Sequence, residues 1–447
     1  MYQINLQNIT GKSPGQMIKG SLFKKIFTNL VSQSNTMKNC SKICTAAFFV
    51  LILFIGCEDD TGQVGTRFIE GEERVSNNSF SLDNIEIEKD PTYSGNLRSV
   101  AIGRYDDPLF GTLTNIGYFR PSINQQAVSS LDPDTDTMRL RLVVDDQEYG
   151  DTTSVANYSI YEIADIWRGN EVKYSDQINF DTSQKLGEFS VSNEDTVFVD
   201  LGSGWTARYA EFLNSDAANR DSLYRVEFPG LAIVPDDSEG SKIIFTTVLS
   251  DGDSNQPIPQ NSGFIIEKPD EEIFFQQALD WASTLERTEA SGVQEDNIIK
   301  VHNTLENFIS LNPVLTEENL QSQNLSRVEL VLFENRNLLE QTLPFNHTRP
   351  NVESVRVHIL DNEINLAEQI FSSNPDFIAL RDSADNSFRF NITNLANSEL
   401  FGTPVEGRFY LTIQLTNGQI FSTAFYDINA VENRRPMINV TAVNTNN

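Results

Sequence analysis

Short runs of alternating apolar and polar residues recur along most of this chain, and they limit its fold more than any other feature. The clearest run extends from Phe409 to Leu415, and others are centred on Leu140, Leu330, Val357 and Phe390. Because the side chains of a β-strand point alternately to its two faces, each run places its apolar residues on one face. Turn-forming residues separate the runs. The sequence therefore predicts an all-β fold of two antiparallel β-sandwich domains with a few short helices.

The predicted strands form two series whose elements correspond in order. The first series comprises Met138–Val144, Tyr158–Ile163, Thr196–Leu201, Phe228–Val234 and Ile243–Leu249. The second comprises Arg327–Phe333, Ser354–Leu360, Phe388–Ile392, Arg408–Leu415 and Met437–Thr441. We interpret this order as a diverged internal repeat, although two unrelated sandwiches would look similar at this level of detail.

A helix is expected between the two series, at residues 270–288. Phe274, Ala278, Trp281 and Leu285 follow one another at helical spacing, and Asp270 stands where a helix cap would lie. Such a helix would pack against a sheet edge or between the domains, and a lid over an active site is the alternative.

The N-terminal segment has the layout of an export signal. Residues 1–56 contain six lysines and no acidic residue, and they end in the apolar run from Ala46 to Ile55. Ten apolar residues are too few to span a bilayer, for which about 20 are needed. Gly56-Cys57 follows, and a small residue before cysteine resembles a lipobox, in which the cysteine becomes lipid-modified. Alternatives are a buried core segment with an ordinary thiol at Cys57 and an uncleaved signal anchor.

Processing before Cys57 would change both the charge and the cysteine content. The six lysines would leave, so the formal net charge would move from −30 to −36. Cys40 and Cys44 would leave as well, so an acylated Cys57 would be the last cysteine and neither a disulfide nor a cysteine nucleophile would remain. A charge of this sign argues against nucleic-acid binding, which needs clustered Lys and Arg.

These observations predict the following domain organisation. Residues 1–56 are the signal segment, of which 1–36 read as an overlong gene start and 37–56 as the lipoprotein signal peptide. Residues 57–78 are a tether, 79–268 the first β-sandwich domain, and 269–447 the helical connection with the second β-sandwich domain.

One segment resembles a known family. Arg104-Tyr105-Asp106-Asp107-Pro108-Leu109-Phe110-Gly111 is similar to the G-x-Y-x-D-P-x-F-G signature of a Bacteroidota lipoprotein family, domain-of-unknown-function family 4270. Its motif residues here are Tyr105, Asp107, Pro108, Phe110 and Gly111. The resemblance implies a lipid anchor at Cys57, and it assigns no activity.

Two further resemblances refine the expected location and fold. Glu58, Asp59 and Asp60 directly follow the cysteine and resemble the acidic signal that sends Bacteroidota lipoproteins to the cell surface; a solvated tether is the alternative. The segments Ile163–Trp167 and Gly204-Trp205 resemble parts of jelly-roll modules. The expected location is therefore the outer membrane, lipid-anchored and facing outward, and the expected sandwiches are jelly-roll-like.

Three acidic segments are candidates for calcium loops, because carboxylates in a turn suit this hard cation. Asp106-Asp107-Pro108 reads better as a tight turn in which Asp caps the backbone and Gly111 supplies a positive φ. The segment Asp132–Asp136 has Thr137 and Val143 where a calcium loop needs Gly and Glu, and Asp251–Asn255 runs into Pro257. We expect no metal and no cofactor.

The sequence carries no catalytic signature, so we expect a protein that is not an enzyme. His302, His347 and His358 are far apart, and no nucleophile elbow, H-E-x-x-H motif or P-loop occurs. His358 is expected on the solvent face of its strand, beside Arg356. The leading hypothesis is a non-catalytic surface lipoprotein that binds a glycan or an envelope protein. The alternatives are a periplasm-facing accessory subunit of an outer-membrane assembly or secretion machine and, third, a glycan-active enzyme using paired carboxylates.

Overall fold

The computed structural model describes residues 74–444 except 237–240, 250–259, 271, 291–296, 317–319, 321–323, 362–363, 404–405 and 415–416. Residues 73–445 form one compact unit. The predicted signal segment, Cys57, the acidic triplet at 58–60 and the Asp251–Asn255 loop lie outside the described residues. None of the helices in the described ranges combines the length and apolar content that crossing a bilayer requires.

Within the described residues the chain forms twenty-two strands. The first twelve are β1 (Arg74–Ser81), β2 (Ile85–Glu88), β3 (Ser99–Asp107), β4 (Gly111–Pro121), β5 (Thr137–Asp151), β6 (Ala156–Ile163), β7 (Phe180–Val191), β8 (Thr196–Asp200), β9 (Leu231–Pro235), β10 (Ser241–Thr247), β11 (Gly263–Glu267) and β12 (Ile273–Thr288). The others are β13 (Ile298–His302), β14 (Phe308–Leu311), β15 (Asn324–Phe333), β16 (His347–Thr348), β17 (Ser354–Leu360), β18 (Phe377–Asp382), β19 (Ser387–Asn391), β20 (Arg408–Ile413), β21 (Ser422–Tyr426) and β22 (Met437–Asn444).

In the described ranges, five short α-helices interrupt the strands. They are α1 (Ser203–Leu213), α2 (Arg220–Glu227), α3 (Arg336–Gln341), α4 (Leu366–Ser372) and α5 (Thr393–Phe401). A 3-10 turn spans Gly169–Glu171. The predicted all-β fold with few short helices is confirmed.

The strand pairings define two jelly-roll sandwiches, and every pairing among the named strands is antiparallel. In the first sandwich, the strand orders of the two layers are β3-β10-β5-β8 and β4-β9-β6-β7, and the pairing of β3 with β4 joins the layers into one continuous sheet. In the second, the orders are β1-β22-β15-β19 and β14-β20-β17-β18. Each set is the eight-stranded jelly-roll arrangement. The elements of the two predicted series therefore occupy equivalent places, which supports the internal repeat.

The first sandwich is inserted into the second along the chain. β1 pairs with the last strand, β22, and β2 pairs with β14, so the second sandwich begins before the first one starts. The boundary predicted after residue 268 is therefore wrong, since β12 still belongs to the first sandwich through its pairings with β11 and β4. Residues 74–78, predicted as tether, are part of β1 for the same reason.

The helix predicted at 270–288 is also wrong, because these residues form most of the 16-residue strand β12. A register shift between Ala278 and Asp280 breaks the alternation of the strand. This irregularity places Phe274, Ala278 and Trp281 at a spacing that imitates a helix. Both faces of the strand are buried from Asp280 to Leu285, so the polarity of the sequence carries no period of two there.

Each sandwich has its own apolar core. The first core includes Ile102, Leu140, Ile160, Ile233 and Phe264, and the second includes Leu330, Val357, Phe388, Leu411 and Ile438. A third cluster joins Tyr105, Phe110 and Tyr149 of the first sandwich to Leu338, Leu339 and Ile420, which follow it in the chain. The two sandwiches therefore bury a common apolar surface between them.

Candidate functional site

The family-like motif forms a tight turn between β3 and β4. The Asp107 carboxylate accepts hydrogen bonds from the backbone N–H groups of Leu109 at 2.8 Å and Phe110 at 2.9 Å. Gly111 has φ +83°, a conformation that glycine adopts without steric cost. The prediction of a capped turn is confirmed, and the carboxylate of Asp107 is used by the protein itself.

The same turn connects the two sandwiches. Arg349 of the second sandwich donates to Asp107 through Nε at 2.6 Å and Nη2 at 2.8 Å, and the pair is almost fully buried. Tyr149 donates to Asp107 at 2.9 Å. Burial raises the pKa of the Tyr149 hydroxyl, so it stays protonated and keeps donating. Tyr105 contacts Nδ1 of His347 at 2.9 Å.

These contacts assign the motif a structural function. Phe110 packs edge-on against His302 and lies beneath the Arg349 guanidinium, so its ring is also held from the second sandwich. Arg287 of β12 and Glu306 form a further ion pair across the junction. Sequence analysis singled out the motif but missed Arg349 and His347, because nothing in their local sequence marks them as its partners.

The acidic segment Asp132–Asp136 already binds the ammonium group of a lysine from the protein itself. Lys268 Nζ donates to the buried Asp136 carboxylate at 2.5 Å and to the Ser130 carbonyl at 2.7 Å. The backbone N–H of Asp132 also donates to Asp136, at 2.8 Å. In the part of the chain that the structure describes, no group of three or more His, Cys, Asp or Glu side chains could hold a metal ion.

Calcium is therefore expected to stabilise the protein only through its ionic strength. A net charge of −30 repels itself in the folded chain, so salt screening should raise the melting temperature. Melts in millimolar CaCl₂ and in NaCl of matched ionic strength should coincide, and EDTA should change neither. A calcium-specific rise that EDTA abolishes would show a cation site.

The three histidines do not form one site, because each is hydrogen-bonded to a different partner. His302 Nδ1 contacts the Ser422 hydroxyl at 2.9 Å, and burial lowers the pKa of this imidazole well below its ordinary value. His358, expected on a solvent face, is fully buried: its Nδ1 contacts the Ser373 hydroxyl at 3.1 Å. The chain that follows α4 covers this position of β17, which the alternation of the strand alone could not indicate.

The aromatic side chains do not form an exposed row on either sandwich within the described residues. All three tryptophans are buried, and the exposed large aromatics Phe198, Phe345, Phe371 and Phe401 lie on different elements. The described surface therefore offers no glycan platform of stacked aromatic rings.

A cleft lies where the two tryptophan-containing segments singled out in the sequence meet. It has a volume of about 640 Å³. Its lining comprises Glu162, Ile163, Ala164, Asp181, Gln184, Lys185, Leu186, Gly202, Gly204, Trp205 and Arg208. We call it the α1 cleft, since Gly202, Gly204, Trp205 and Arg208 belong to the start of α1. The opposite wall comes from β6 and β7.

An aromatic cluster fixes the position of α1 against the first core. Trp205 packs against Tyr209, Phe228 and Phe264, with ring centroids 5.1–6.3 Å apart. The Tyr209 hydroxyl donates to the Ser122 carbonyl at 2.6 Å. The helix start that lines the cleft is therefore held rigidly.

The charged side chains of the cleft are balanced in pairs. Arg208 pairs with Glu162, and Lys185 pairs with Glu188 at 2.5 Å. Asp181 accepts from the hydroxyl and the backbone N–H of Ser183, and these hydrogen bonds lower the pKa of its carboxyl. Arg208 is about half exposed, with 47% of its side-chain surface accessible.

A second groove runs along the end of β12. It has a volume of about 540 Å³ and is lined by Tyr118, Phe180 and Arg287 among others. A separate cleft of about 240 Å³ includes Lys89, Arg287 and His302. Burial raises the pKa of Tyr118 to about 12. Because Arg287 also makes the junction contact with Glu306, part of this groove serves the packing of the two sandwiches.

Comparison with known proteins gives no functional assignment. No protein-family model matches the chain, and no curated protein matches it. Among solved structures, the collagen adhesin of S. aureus aligns over 82% of this chain and 94% of its own, with 7% identity and a TM-score of 0.14. At this TM-score the likeness carries no argument about fold or function.

Proposed function

We propose that this protein is a non-catalytic, surface-exposed outer-membrane lipoprotein of the Bacteroidota type that binds a glycan in the α1 cleft. The observation that carries the proposal is the cleft itself, a polar depression of about 640 Å³ on a rigid helix start. Sugar hydroxyl groups both donate and accept hydrogen bonds. Amide, carboxylate, ammonium and guanidinium groups around one aromatic side chain therefore suit a sugar ligand.

Two features support binding over catalysis. The cleft carboxylates Glu162 and Asp181 are engaged with Arg208 and Ser183, which leaves neither placed as an isolated acid or base. The buried Asp107 of the family-like motif is likewise held by Arg349 and the turn backbone. These groups stabilise the fold and shape the cleft.

The direct test of glycan binding is an array of bacterial and plant glycans probed with the full chain in mild detergent. We expect a restricted group of glycans to be retained, and excess soluble ligand of the same kind to displace the protein. Absence of binding to every glycan would contradict the proposal and favour a protein partner.

A protein partner is the second candidate, and one feature of the second sandwich favours it. Within the described residues, β18 pairs with β19 only at Arg381 and Asp382, so its segment from Phe377 to Leu380 has a neighbouring strand on one side alone. Ile378 and Leu380 on this segment are 57% and 73% exposed. An exposed apolar edge can add a strand from another chain. This edge fits the accessory subunit of an outer-membrane assembly or secretion machine.

Maturation is tested by acyl labelling and surface proteolysis. Labelled palmitate should enter the wild-type chain and be absent from Cys57→Ala, because the thiol of that residue carries the proposed lipid. Replacing Glu58, Asp59 and Asp60 with Ala should protect the protein from protease added to intact cells. Equal labelling of wild type and Cys57→Ala, or equal protection of wild type and the triple variant, would contradict this account.

A further inference from the structure

We propose that the open edge of β18 binds an extended peptide segment whose apolar residues alternate along the strand and whose ends carry lysine or arginine. The segment would pair with Phe377–Leu380 as an added strand of the sheet. This inference deepens the second candidate function, a protein partner, and it is independent of glycan binding in the α1 cleft. The backbone of β18, the side chains beside it and the charges at its ends define the partner.

The backbone of β18 has hydrogen-bonding groups that point away from β17. The Arg381 N–H donates to the Glu353 carbonyl, just before β17, at 3.1 Å. Successive residues of an antiparallel strand direct their N–H and C=O groups to opposite sides, so Ala379 also faces β17, while Ile378 and Leu380 face away. On that side β19 pairs only from Arg381 onwards. Within the described residues, Ile378 and Leu380 therefore each offer an N–H and a C=O group to a further strand.

The side chains along this edge are apolar and open to solvent. Ile378 and Leu380 are among the exposed large hydrophobic residues of the chain. Their cross-strand partners, Arg356 and Ser354, alternate with the core residue Val355, so both side chains lie on the outer face of the sheet. An added strand would place every second side chain next to Ile378 and Leu380. Apolar residues at those positions of the partner would remove this surface from water.

The first sandwich shows how the same chain protects the equivalent edge. β7 takes the place of β18, as the last strand of its layer. It carries the exposed ion pair of Lys185 and Glu188, and two register shifts interrupt its pairing with β6. Charged side chains and bulges on an edge strand hinder pairing with another chain. In the described structure, β18 pairs with β17 in regular register and exposes Ile378 and Leu380 instead, so its edge is suited to a partner.

The charges around this edge favour a basic partner. Asp376 precedes the open segment and Asp382 follows it, and both residues are exposed, as is Glu353 beside them. Arg381 is largely buried and pairs with Glu353 at 3.1 Å, and Arg356 is half-buried. The exposed charges at both ends of the edge are therefore acidic. The net charge of −30 also makes a second copy of this chain, or an acidic partner, unfavourable.

A lysine on the edge should remove the docking surface without disturbing the core. Leu380→Lys gives β18 the kind of charge that β7 already carries, at an exposed position, and the new ammonium group repels a basic peptide. Phe345→Lys is the matched control, because Phe345 is also exposed, lies in the turn before β16 and changes the net charge equally. The melting temperatures of both variants should stay close to that of the wild type, as for other exposed substitutions.

The test is the fluorescence anisotropy of labelled synthetic peptides titrated with the full chain in mild detergent. One peptide alternates valine and threonine and has lysines at each end. Another has glutamates in place of the lysines, and the last is the lysine peptide with its valine N–H groups methylated. We expect saturable binding of the unmethylated lysine peptide alone, weakened by NaCl. Leu380→Lys should weaken this binding by at least about tenfold, and Phe345→Lys should leave it unchanged.

Each other result overturns a defined part of the proposal. Equal binding of the methylated peptide would exclude strand addition, equal binding of the glutamate peptide would exclude a basic partner, and full binding by Leu380→Lys would exclude β18. If no peptide binds, and sedimentation shows a wild-type dimer that Leu380→Lys dissociates, the occupant is a second copy of the chain. Absence of both peptide binding and dimerisation also overturns the inference. Retention of glycans on the array is measured separately, so glycan binding can stand where this inference fails.

Discussion

Arg349→Ala should lower the free energy of unfolding by about 3–5 kcal/mol, among the largest effects we expect from a single substitution in this protein. The Asp107–Arg349 ion pair is almost fully buried at the junction of the sandwiches. Removing the guanidinium leaves the carboxylate with two backbone N–H groups and the Tyr149 hydroxyl, without a compensating charge. Denaturant unfolding followed by circular dichroism measures the loss.

Arg168→Ala is the matched control for this prediction. Arg168 pairs with Glu171, and the two side chains are 61% and 64% exposed. Exposed pairs contribute about 0–1 kcal/mol, so the control should unfold almost as the wild type does. Equal stabilities for Arg349→Ala and Arg168→Ala would show that the junction does not depend on the buried pair.

Gly111→Ala should destabilise the protein by about 2–4 kcal/mol, for steric reasons. Gly111 has φ +83°, and a Cβ atom there would lie 1.9 Å from the Thr288 carbonyl oxygen. β4 and β12 pair along this line, so relieving the clash would require the two strands to separate locally.

Gly204→Ala is the control for backbone effects. Its Cβ atom would meet no atom within 4 Å, and alanine is the better helix former. Its free energy of unfolding should be equal to that of the wild type or higher by up to about 1 kcal/mol. A Gly111→Ala variant as stable as Gly204→Ala would contradict the strand geometry described for the motif turn.

The all-β fold was predictable because many of its strands have a recognisable pattern in their own residues. Runs such as Val355–Ile359 alternate apolar and polar residues, and the turns between them are rich in polar residues and Gly. The correspondence of the two strand series was also visible, since each jelly roll uses its strands in the same order. These features depend on neighbouring residues alone.

The insertion of one sandwich into the other was not predictable from local pattern. β1 reads as polar tether, with the sequence RVSNNSFS, and only its pairing with β22 at the far end of the chain makes it a strand. Likewise, the partners of Asp107 and the cover over His358 come from segments distant in sequence. Long-range contacts of this kind leave no periodicity in the residues that make them.

The candidate site was predictable only in part. Sequence analysis named Gly204-Trp205 and Ile163–Trp167 only as segments that resemble jelly-roll modules, and the structure brings parts of both to the α1 cleft. It gave no sign that the start of α1 would form one wall of a cleft with β6 and β7. Because β1 begins at Arg74, the lipid proposed at Cys57 would attach through the second sandwich, whereas the cleft lies in the first.

The central claim, that a glycan binds in the α1 cleft, is tested most directly by the fluorescence of Trp205, which lines the cleft. Replacing Trp167 and Trp281 with Phe leaves Trp205 as the one tryptophan in the chain. Titration with a glycan that the array retains should then change the Trp205 emission and saturate at the dissociation constant that calorimetry gives. Emission that stays constant while calorimetry shows saturation would place the ligand elsewhere and contradict the account.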